Sequence, residues 1–398
     1  MDFQLSETEK AFQQKAEQFI LAEMPPGYTD RCLYWPGGYG AILEFEERDP
    51  AIDRFRERMG EEGWLTMSWP KELGGGGHSF IEQAIFAERL SYHRAPGTDV
   101  NTLIAAPTIM RFGSEEMKKE WIPRIIKGNL RFWLAYSEPN AGSDLAAIQT
   151  RAVEDGDDLV VNGQKIWSSG AHIADYAWMV ARTDMNVPPH KGTTLFIVDN
   201  KTPGITIRPL TNIVGFHSFN EVFFDNVRVP KKNIVGEMNL GFLYLMVALD
   251  YERLAIAIGG FRRQFDELVK YVKGTTRNGK PLSANPSVRR KLADLAIDIE
   301  IAYNFFFKTA WMMDNHQMPN IEASVLKLCA TQLSRKLASV GTEILGIYGQ
   351  LEHDSKYAPM RGQFCVGYLD SISAVIGAGT SEIQRNIIAQ RGLGLPRK

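Results

Sequence analysis

The segment Glu221-Val222-Phe223-Phe224-Asp225-Asn226-Val227-Arg228-Val229-Pro230 closes the part of the chain whose hydrophobic pattern is that of β-strands. From about residue 131 to residue 235 the period is two, in short runs at 159–163, 176–181, 194–198, 205–207 and 221–224. Turn-forming pairs punctuate this segment: Asp155-Gly156 and Pro203-Gly204 lie between runs, and Asn162-Gly163 ends the first run. Short strands joined by regular turns predict a small antiparallel barrel or sandwich in the middle of the chain.

Helical patterns precede this middle segment. Ser6-Glu7-Thr8-Glu9 is a capping-box pattern that opens an amphipathic helix. Further helices are predicted at about 50–62, 79–94, 100–112 and 115–127. Residues 25–40 are rich in proline, glycine and aromatic residues and predict an irregular excursion between helices.

The helical period returns after the strands. Helices are predicted at about 239–273, 286–315, 320–350, 359–370 and 380–391, and long helices of this kind fit an antiparallel four-helix bundle. The whole order predicts an α+β fold with three domains. They are an N-terminal α-helical domain at 1–130, a middle β-barrel domain at 131–238 and a C-terminal α-helical bundle at 239–398.

Composition excludes several classes of function. The 398 residues are 44% hydrophobic and 23% charged with a formal net charge of −2, so no basic surface for nucleic acid is expected. The apolar run 243–249 is too short to span a bilayer. The first seven residues lack a basic segment followed by an apolar one, so no signal peptide is expected. Cys32, Cys329 and Cys365 fit no zinc spacing and suit a reducing compartment. We expect no metal site, and a bacterial cytoplasmic protein or a mature mitochondrial matrix protein.

Glu252 is the most informative single residue. It stands in Leu249-Asp250-Tyr251-Glu252-Arg253-Leu254, inside the helix predicted over 239–273. Its helical neighbours three and four positions away are all apolar: Ala248, Leu249, Ala255 and Ile256. A carboxylate on an apolar stripe loses hydration, which predicts a pKa raised toward that of a general base. Taken alone, the stretch is more often that of a buried ion pair with Arg253 or a more distant cation.

Two polar segments border the predicted strands. They are Ala135-Tyr136-Ser137-Glu138-Pro139-Asn140-Ala141-Gly142-Ser143-Asp144 and Asn162-Gly163-Gln164-Lys165-Ile166-Trp167-Ser168-Ser169-Gly170. Read alone, the first is a polar turn and the second is a tryptophan of the barrel beside an Asn-Gly hairpin turn.

Together with the helix–barrel–helix order, these segments resemble the acyl-CoA dehydrogenase family over nearly the whole chain. The resemblance implies FAD as the cofactor, with Ser137 at the flavin ring and Ser143 near its pyrophosphate or the substrate. It implies cofactor contacts for Tyr136, Gly142 and Ser168 as well. Trp167 would supply a flat face and Ser169 a donor to flavin N5, at a position where the family usually has threonine.

The segment Ile376-Gly377-Ala378-Gly379-Thr380-Ser381-Glu382-Ile383-Gln384-Arg385 departs from many family members, which carry the catalytic glutamate where Ala378 stands. One branch, including isovaleryl-CoA dehydrogenase, has a closely similar loop and takes its base from a helical Leu-Asp-Leu-Glu-Arg-Leu segment. Residues 249–254 match that segment except at Tyr251. The resemblance therefore implies Glu252 as the catalytic base and Thr380 and Glu382 as cofactor-binding residues. The substrate-binding residues that it implies are Ser143, Asp250, Tyr251, Arg253, Ala378 and Gly379.

Two further departures concern contacts that the family makes between subunits. Members often have Arg-x-x-Phe-Gly after the long helix, where the arginine reaches a neighbouring subunit's flavin, but Thr275 stands at the arginine position here. Arg277 is the cation that could replace it. A Gln-x-x-Gly-Gly segment that supports the adenine reads Glu343-Ile344-Leu345-Gly346-Ile347 and retains only Gly346. A homotetramer is expected, and a heterotetramer with an unlike subunit stays open.

These features predict an oxidoreductase of fatty acid metabolism that acts on an acyl-CoA thioester with a branched, cyclic or bulky acyl group. Glu252 removes the α-proton, the β-hydrogen leaves as hydride to flavin N5, and electrons pass to an electron-transferring flavoprotein. His172 and His217 are interpreted as structural or pocket-lining residues. Two alternatives stay open: a partner subunit of a heteromeric acyl-CoA dehydrogenase, and a flavin monooxygenase or oxidase of the same fold.

Overall fold

A computed structural model describes residues 4–36, 40–41, 46–97, 100–251 and 256–396, with backbone only for 40–41 and 248–251. These residues form two compact units. The first, the helical unit, contains the described residues up to 41 together with 78–97 and 256–396. The second, the sheet unit, contains 46–77 and 100–251. The division into three domains at residues 131 and 239 stays a prediction.

Twelve α-helices are found in the described part of the chain. They are α1 (Glu7–Glu23), α2 (Tyr28–Arg31), α3 (Pro50–Glu61), α4 (Phe80–His93), α5 (Ala106–Phe112), α6 (Glu115–Ile126), α7 (Gly241–Tyr251), α8 (Ile258–Gly274), α9 (Pro286–Asp314), α10 (Asn320–Leu345), α11 (Gln363–Ala374) and α12 (Ser381–Ile387). The predicted capping box opens α1: the Ser6 N–H donates to the Glu9 carboxylate at 2.7 Å, and the Glu9 N–H donates to Ser6 Oγ at 3.3 Å.

The strands are β1 (Tyr34–Trp35), β2 (Gly40–Ala41), β3 (Phe132–Ala135), β4 (Arg151–Asp155), β5 (Asp158–Lys165), β6 (Tyr176–Arg182), β7 (Thr193–Asp199), β8 (Ile205–Thr211), β9 (His217–Pro230), β10 (Thr276–Arg277) and β11 (Lys280–Pro281). Seven of them, β3 to β9, form one sheet in the order β3-β6-β4-β5-β9-β8, with β7 paired to β6. Most neighbours are antiparallel, but β3 runs parallel to β6. The two strands are separated by forty residues of chain, which is long enough for the crossover that parallel strands need.

Each face of β6 packs into a different hydrophobic core of the sheet unit. Trp178 and Val180 pack with residues of α5 to α7, such as Ile109 and Leu245. Met179 and its neighbours on the opposite face pack inside the sheet, with side chains such as Val161, Phe196 and Val222. Because successive side chains of a strand point to opposite faces, β6 is buried on both sides.

The helix predicted over 239–273 is not continuous, and this part of the prediction is wrong. α7 ends at Tyr251, α8 begins at Ile258, and Ile256 and Ala257 between them are not helical. The predicted base Glu252 and its neighbour Arg253 lie outside the described residues. Tertiary packing sets the start of α8, because the Gly259 N–H donates to Ser91 Oγ of α4 at 3.0 Å.

The core of the helical unit is formed where α8, α9, α10 and α11 pack on one another and on α4. Phe306 and Leu337 are fully buried there, and Trp35 meets Phe364 edge to face while its indole N–H donates to Ser334 Oγ at 2.8 Å. The predicted helical bundle is therefore present, with an indole from the predicted excursion at 25–40 inside it.

The start of α8 provides a test of this packing. A methyl group at Gly259 would overlap the Glu88 carbonyl oxygen, so we expect Gly259→Ala to lower the free energy of unfolding by about 1–3 kcal/mol. Gly274 lies in the same helix with open space around it, so Gly274→Ala should be neutral or stabilising by about 0.5–1 kcal/mol. Urea unfolding of both variants checks this, and equal stability of the two would contradict the proposed contact.

Candidate active site

The two polar segments that were predicted to face the flavin are neighbours within the sheet unit. The Ile166 N–H donates to the Ser137 carbonyl at 3.0 Å, which joins the end of β5 to the loop after β3. Lys165 Nζ donates to the Tyr136 carbonyl at 2.9 Å and to the Glu138 carboxylate at 2.8 Å. One buried side chain of β5 thus holds both neighbours of Ser137, Tyr136 by its backbone carbonyl and Glu138 by its carboxylate.

Lys165 and Glu138 form a buried ion pair. Burial lowers the pKa of Lys165 to about 8, and the Glu138 carboxylate limits this fall. Burial by itself would raise the pKa of Glu138, but the charge of Lys165 and the backbone N–H of Gln149 hold that pKa below its usual value. Near neutral pH both groups are therefore charged, and the pair fixes the loop after β3 to the sheet.

The loop after β3 turns tightly and presents its tip outward. Glu138 and Ala141 exchange two backbone hydrogen bonds of 3.0 Å, which closes a two-residue turn. Gly142 and Ser143 follow this turn and are exposed, whereas Tyr136 is buried and Ser137 is half-buried. Backbone N–H groups and a hydroxyl at an exposed turn are suitable donors for a phosphate.

The second segment presents a flat aromatic surface. Trp167 has a left-handed backbone (φ 59°), and 61% of its surface is exposed while its ring meets Phe219 edge to face. Ser169 is half-exposed. Ser168 points inward: it is buried, and its Oγ has no hydrogen-bond partner among the described residues. Trp167 and Ser169 are therefore the members of this segment that are available to a ligand.

His172 and His217 stack on each other beside this segment, with ring centroids 3.8 Å apart and planes 20° from parallel. Both contact the side chain of Asn220, which is fully buried on β9. The two histidines thus belong to the hydrogen-bonded support of the loop at 167–170.

The loop between α11 and α12 lies in the helical unit. Ala378 and Gly379 both have left-handed backbones, with φ of 51° and 86°. Lys327 Nζ donates to the Gly379 carbonyl at 2.7 Å, and Gln384 Nε2 donates to the Ala378 carbonyl at 3.3 Å. Burial lowers the pKa of Lys327 to about 8. Thr380 caps α12 through the Ile383 N–H at 3.2 Å.

Lys327 lies near the N-terminal end of α10, and Arg277 contacts the C-terminal end of the same helix. Its Nη2 donates to the Ile344 and Leu345 carbonyls at 2.8 and 3.2 Å, next to Gly346, which has φ of 65°. Arg277 and Lys280 also line a cavity of about 680 Å³ within the helical unit. The guanidinium group caps its own chain's helix with one nitrogen, and its remaining N–H groups are available for an anion in that cavity.

The remaining predicted site residues are four neighbours at 250–253 and Glu382. Asp250 and Tyr251 lie in α7 with only their backbone described, and Glu252 and Arg253 lie outside the described residues. Glu382 is exposed and pairs with Arg385 at 3.3 Å.

Sequence reasoning missed residues that support the three loops: Glu138 and Lys165 at the loop after β3, Asn220 at the loop at 167–170, and Lys327 at the loop between α11 and α12. One signal was available for Lys165, because it continues the inward-facing alternation of Leu159 and Val161 along β5. A charged residue at an inward position needs a buried partner. No comparable pattern marks Lys327.

Three family models cover most of this chain. The acyl-CoA dehydrogenase N-terminal domain matches residues 6–129, the middle domain matches 134–227 and the C-terminal domain matches 239–393. Acyl-CoA dehydrogenase FadE29 of Mycobacterium tuberculosis is 33% identical over 361 residues, which are 89% of this chain and 91% of the relative. The chain belongs to the acyl-CoA dehydrogenase family. The resemblance and the predicted α+β fold are thereby confirmed.

Solved structures of related proteins agree. A chain of the Tcur3481–Tcur3483 steroid ACAD superposes with a TM-score of 0.90 at 30% identity, covering all of both chains. A chain of the ChsE4–ChsE5 complex of Mycobacterium tuberculosis superposes with a TM-score of 0.89, also at 30% identity and over all of both chains.

Membership confirms that this chain is an acyl-CoA dehydrogenase, a flavin-dependent oxidoreductase, and that FAD is its cofactor. The residues fit this cofactor, since Trp167 exposes a flat indole beside Ser169 and the turn at 138–141 exposes Gly142 and Ser143. Within the described ranges no group of three or more His, Cys, Asp or Glu residues could hold a metal ion. No described helix is long and apolar enough to cross a membrane.

The buried ion pair can be tested by unfolding. Glu138→Gln leaves the Lys165 ammonium group buried without its counter-charge, so the free energy of unfolding should fall by about 3–5 kcal/mol at pH 7. The double variant Glu138→Gln/Lys165→Met removes both charges and should recover most of this loss. Denaturant titration measures both values, and a double variant no more stable than the single one would contradict the pairing.

The pH dependence has a defined sign. A carboxyl group whose pKa is lowered by folding stabilises the fold at pH values above its ordinary pKa, which is 4.5 for Glu138. This contribution is lost as the pH falls through the pKa that the group has in the folded state. The difference in the free energy of unfolding between the wild type and Glu138→Gln should therefore have its full value at pH 7 and decrease below about pH 4.5.

Proposed function

We propose that this acyl-CoA dehydrogenase introduces an α,β double bond into a bulky acyl-CoA thioester, with Glu252 as the base. One observation carries the assignment of the base. The loop at 375–380, where many family members place their catalytic glutamate, contains Ala378 and no carboxylate. Glu252 stands in the segment that supplies the base in the branch with a similar loop.

The proposed roles of the chain's own groups follow from their chemistry. Glu252 takes the α-proton, whose removal leaves negative charge on the thioester. The exposed Trp167 and the half-exposed Ser169 bind one face and edge of the flavin ring, while Gly142 and Ser143 offer donors to the pyrophosphate. Bound FAD supplies the hydride acceptor, its N5. The apolar residues that neighbour Glu252 in the sequence would exclude water from the base and favour proton removal by a carboxylate.

The substrate class is proposed as a branched, cyclic or steroid-like acyl group. Its support is the similarity over the full length to a steroid ACAD, at a TM-score of 0.90 and 30% identity. Asp250, Tyr251, Arg253, Ala378 and Gly379 are the proposed substrate contacts. Ala378 is small and exposed, which leaves room above the loop for a large acyl group.

The proposed assembly is a tetramer in which chains share FAD sites, with an electron-transferring flavoprotein as the electron acceptor. Arg277, which lines the 680 Å³ cavity, would contact a neighbouring chain's FAD. Gly346, which follows the Ile344 and Leu345 carbonyls that Arg277 holds, is the second proposed contact. Lys280 lines the same cavity and adds positive charge for a phosphate. The remaining proposed cofactor contacts are Tyr136, Ser137, Ser168, Thr380 and Glu382.

The assignment of the base is tested by flavin reduction without oxygen. A panel of acyl-CoAs with straight, branched, cyclic and steroid side chains should contain one that removes the visible absorbance of oxidised FAD. Glu252→Gln should slow this reduction by about 10²–10⁴-fold while FAD content stays unchanged.

Asp370→Asn is the matched control. Asp370 is a buried carboxylic acid of α11 whose pKa burial raises to about 6, so it could also serve as a base. The control should reduce at close to the wild-type rate. A loss of reduction with Asp370→Asn but not with Glu252→Gln would overturn the assignment.

A second candidate is a partner subunit that completes the flavin site of an unlike chain. Two of the similar solved structures are named for two components, Tcur3481–Tcur3483 and ChsE4–ChsE5. The chain expressed alone should be yellow and reducible by a thioester if it is self-sufficient. If it is colourless alone and becomes yellow only when expressed with an unlike subunit, the heteromeric assembly is correct. Rapid reoxidation of the reduced protein by air would instead favour an oxidase.

A further inference from the structure

Asn220 is the centre of a hydrogen-bond network beneath the Trp167 loop. Its side chain is completely buried on β9. The amide Nδ2 donates to the Ser168 carbonyl at 2.9 Å and to His172 Nδ1 at 3.0 Å, and Oδ1 accepts from His217 Nε2 at 2.7 Å. The Asn220 backbone carbonyl also accepts the Ser168 N–H at 3.0 Å. One residue thus holds both backbone polar groups of Ser168.

The chemistry of the partners fixes every orientation in this network. A carbonyl oxygen only accepts, so the Asn220 nitrogen must face Ser168 and its oxygen must face His217. His172 Nδ1 then accepts, which places the proton on Nε2, and Nε2 donates to the Glu46 carbonyl at 3.2 Å. Because the two stacked imidazoles occupy the remaining positions of the amide, Asn220 cannot rotate without losing several hydrogen bonds.

The loop that Asn220 holds is strained. A left-handed backbone is sterically unfavourable for a residue with a bulky side chain, and the exposed indole of Trp167 gains little from burial. The conformation is maintained by the backbone bonds on each side of it. The Ile166 N–H donates to Ser137, the Ser168 N–H donates to Asn220, and the Gly170 N–H donates to the Ser218 carbonyl at 3.1 Å.

We propose that Asn220 is a positioning residue for the flavin. By holding the Ser168 carbonyl, it keeps the left-handed turn that presents the Trp167 indole and the Ser169 hydroxyl, with His172 and His217 bracing the amide. This inference rests on the proposed placement of the flavin at Trp167 and Ser169. Asn220 itself lies beneath the loop and acts only through Ser168.

Asn220→Asp is the sharpest variant, because aspartate keeps the shape and an acceptor for His217 but offers no donor to the Ser168 carbonyl. Asn200→Asp is the matched control. Asn200 is also hydrogen-bonded three times in the sheet unit: it donates to Ala171 and Ala174 at 2.9 and 2.8 Å and accepts from Trp133 at 2.8 Å. The two residues whose carbonyls Asn200 holds follow the Trp167 turn in the chain and are not part of it.

The measurements are FAD binding after removal of the flavin, and hydrogen exchange of the flavin-free protein. Asn220→Asp should raise the dissociation constant of FAD by about tenfold and speed the exchange of the Ser168 and Gly170 amides. It should also alter the visible circular dichroism of the bound flavin. Asn200→Asp should lower the melting temperature without changing FAD affinity or those two amides.

Trp167→Leu separates the two hypotheses. If Trp167→Leu leaves FAD affinity unchanged, the proposed flavin placement fails, and the positioning role fails with it. If Trp167→Leu weakens FAD binding but Asn220→Asp has no greater effect than Asn200→Asp, the flavin placement stands and only the role of Asn220 is overturned.

Discussion

The ammonium group of Lys165 is buried in the sheet unit, where it bonds to the Tyr136 carbonyl and the Glu138 carboxylate. A buried charge that loses its partner destabilises a protein strongly, so neither the end of β5 nor the loop after β3 can move away from the other. The exposed Trp167 and Ser143 follow these two fixed points along the chain by two and five residues. The ion pair therefore fixes the two points of the sheet unit from which these exposed residues extend.

A common principle relates the Trp167 loop and the Ala378 loop, each within its own unit. Both place a residue other than glycine in the left-handed region, with φ of 59° for Trp167 and 51° for Ala378. In both, side-chain donors from outside the turn hold nearby backbone carbonyls: Asn220 in the first, and Lys327 and Gln384 in the second. In each loop, the residues that hold the turn are therefore different from the residues that the turn exposes.

Much of the fold could be predicted from local patterns, because caps and periods act over a few residues. The Ser6–Glu9 capping box and the period-two runs between 131 and 235 are examples. The interruption before α8 could not be predicted from local patterns. It depends on the contact of Gly259 with α4, which lies about 170 residues earlier in the chain. The supporting roles of Lys165 and Asn220 could not be predicted for the same reason, because both depend on partners that are distant in the sequence and that the fold brings close.

The same reasoning applies to the proposed base. The apolar neighbours of Glu252 indicate a helix face, but the residues on each side of 252–255 are held by separate contacts. α7 is anchored in the sheet unit by Tyr244 and Leu245, both buried. α8 is anchored in the helical unit by the hydrogen bond from Gly259 to Ser91. The local sequence pattern therefore predicts the apolar neighbours of the proposed base, whereas the packing of α7 and of α8, each within its own unit, depends on residues that are distant in the sequence.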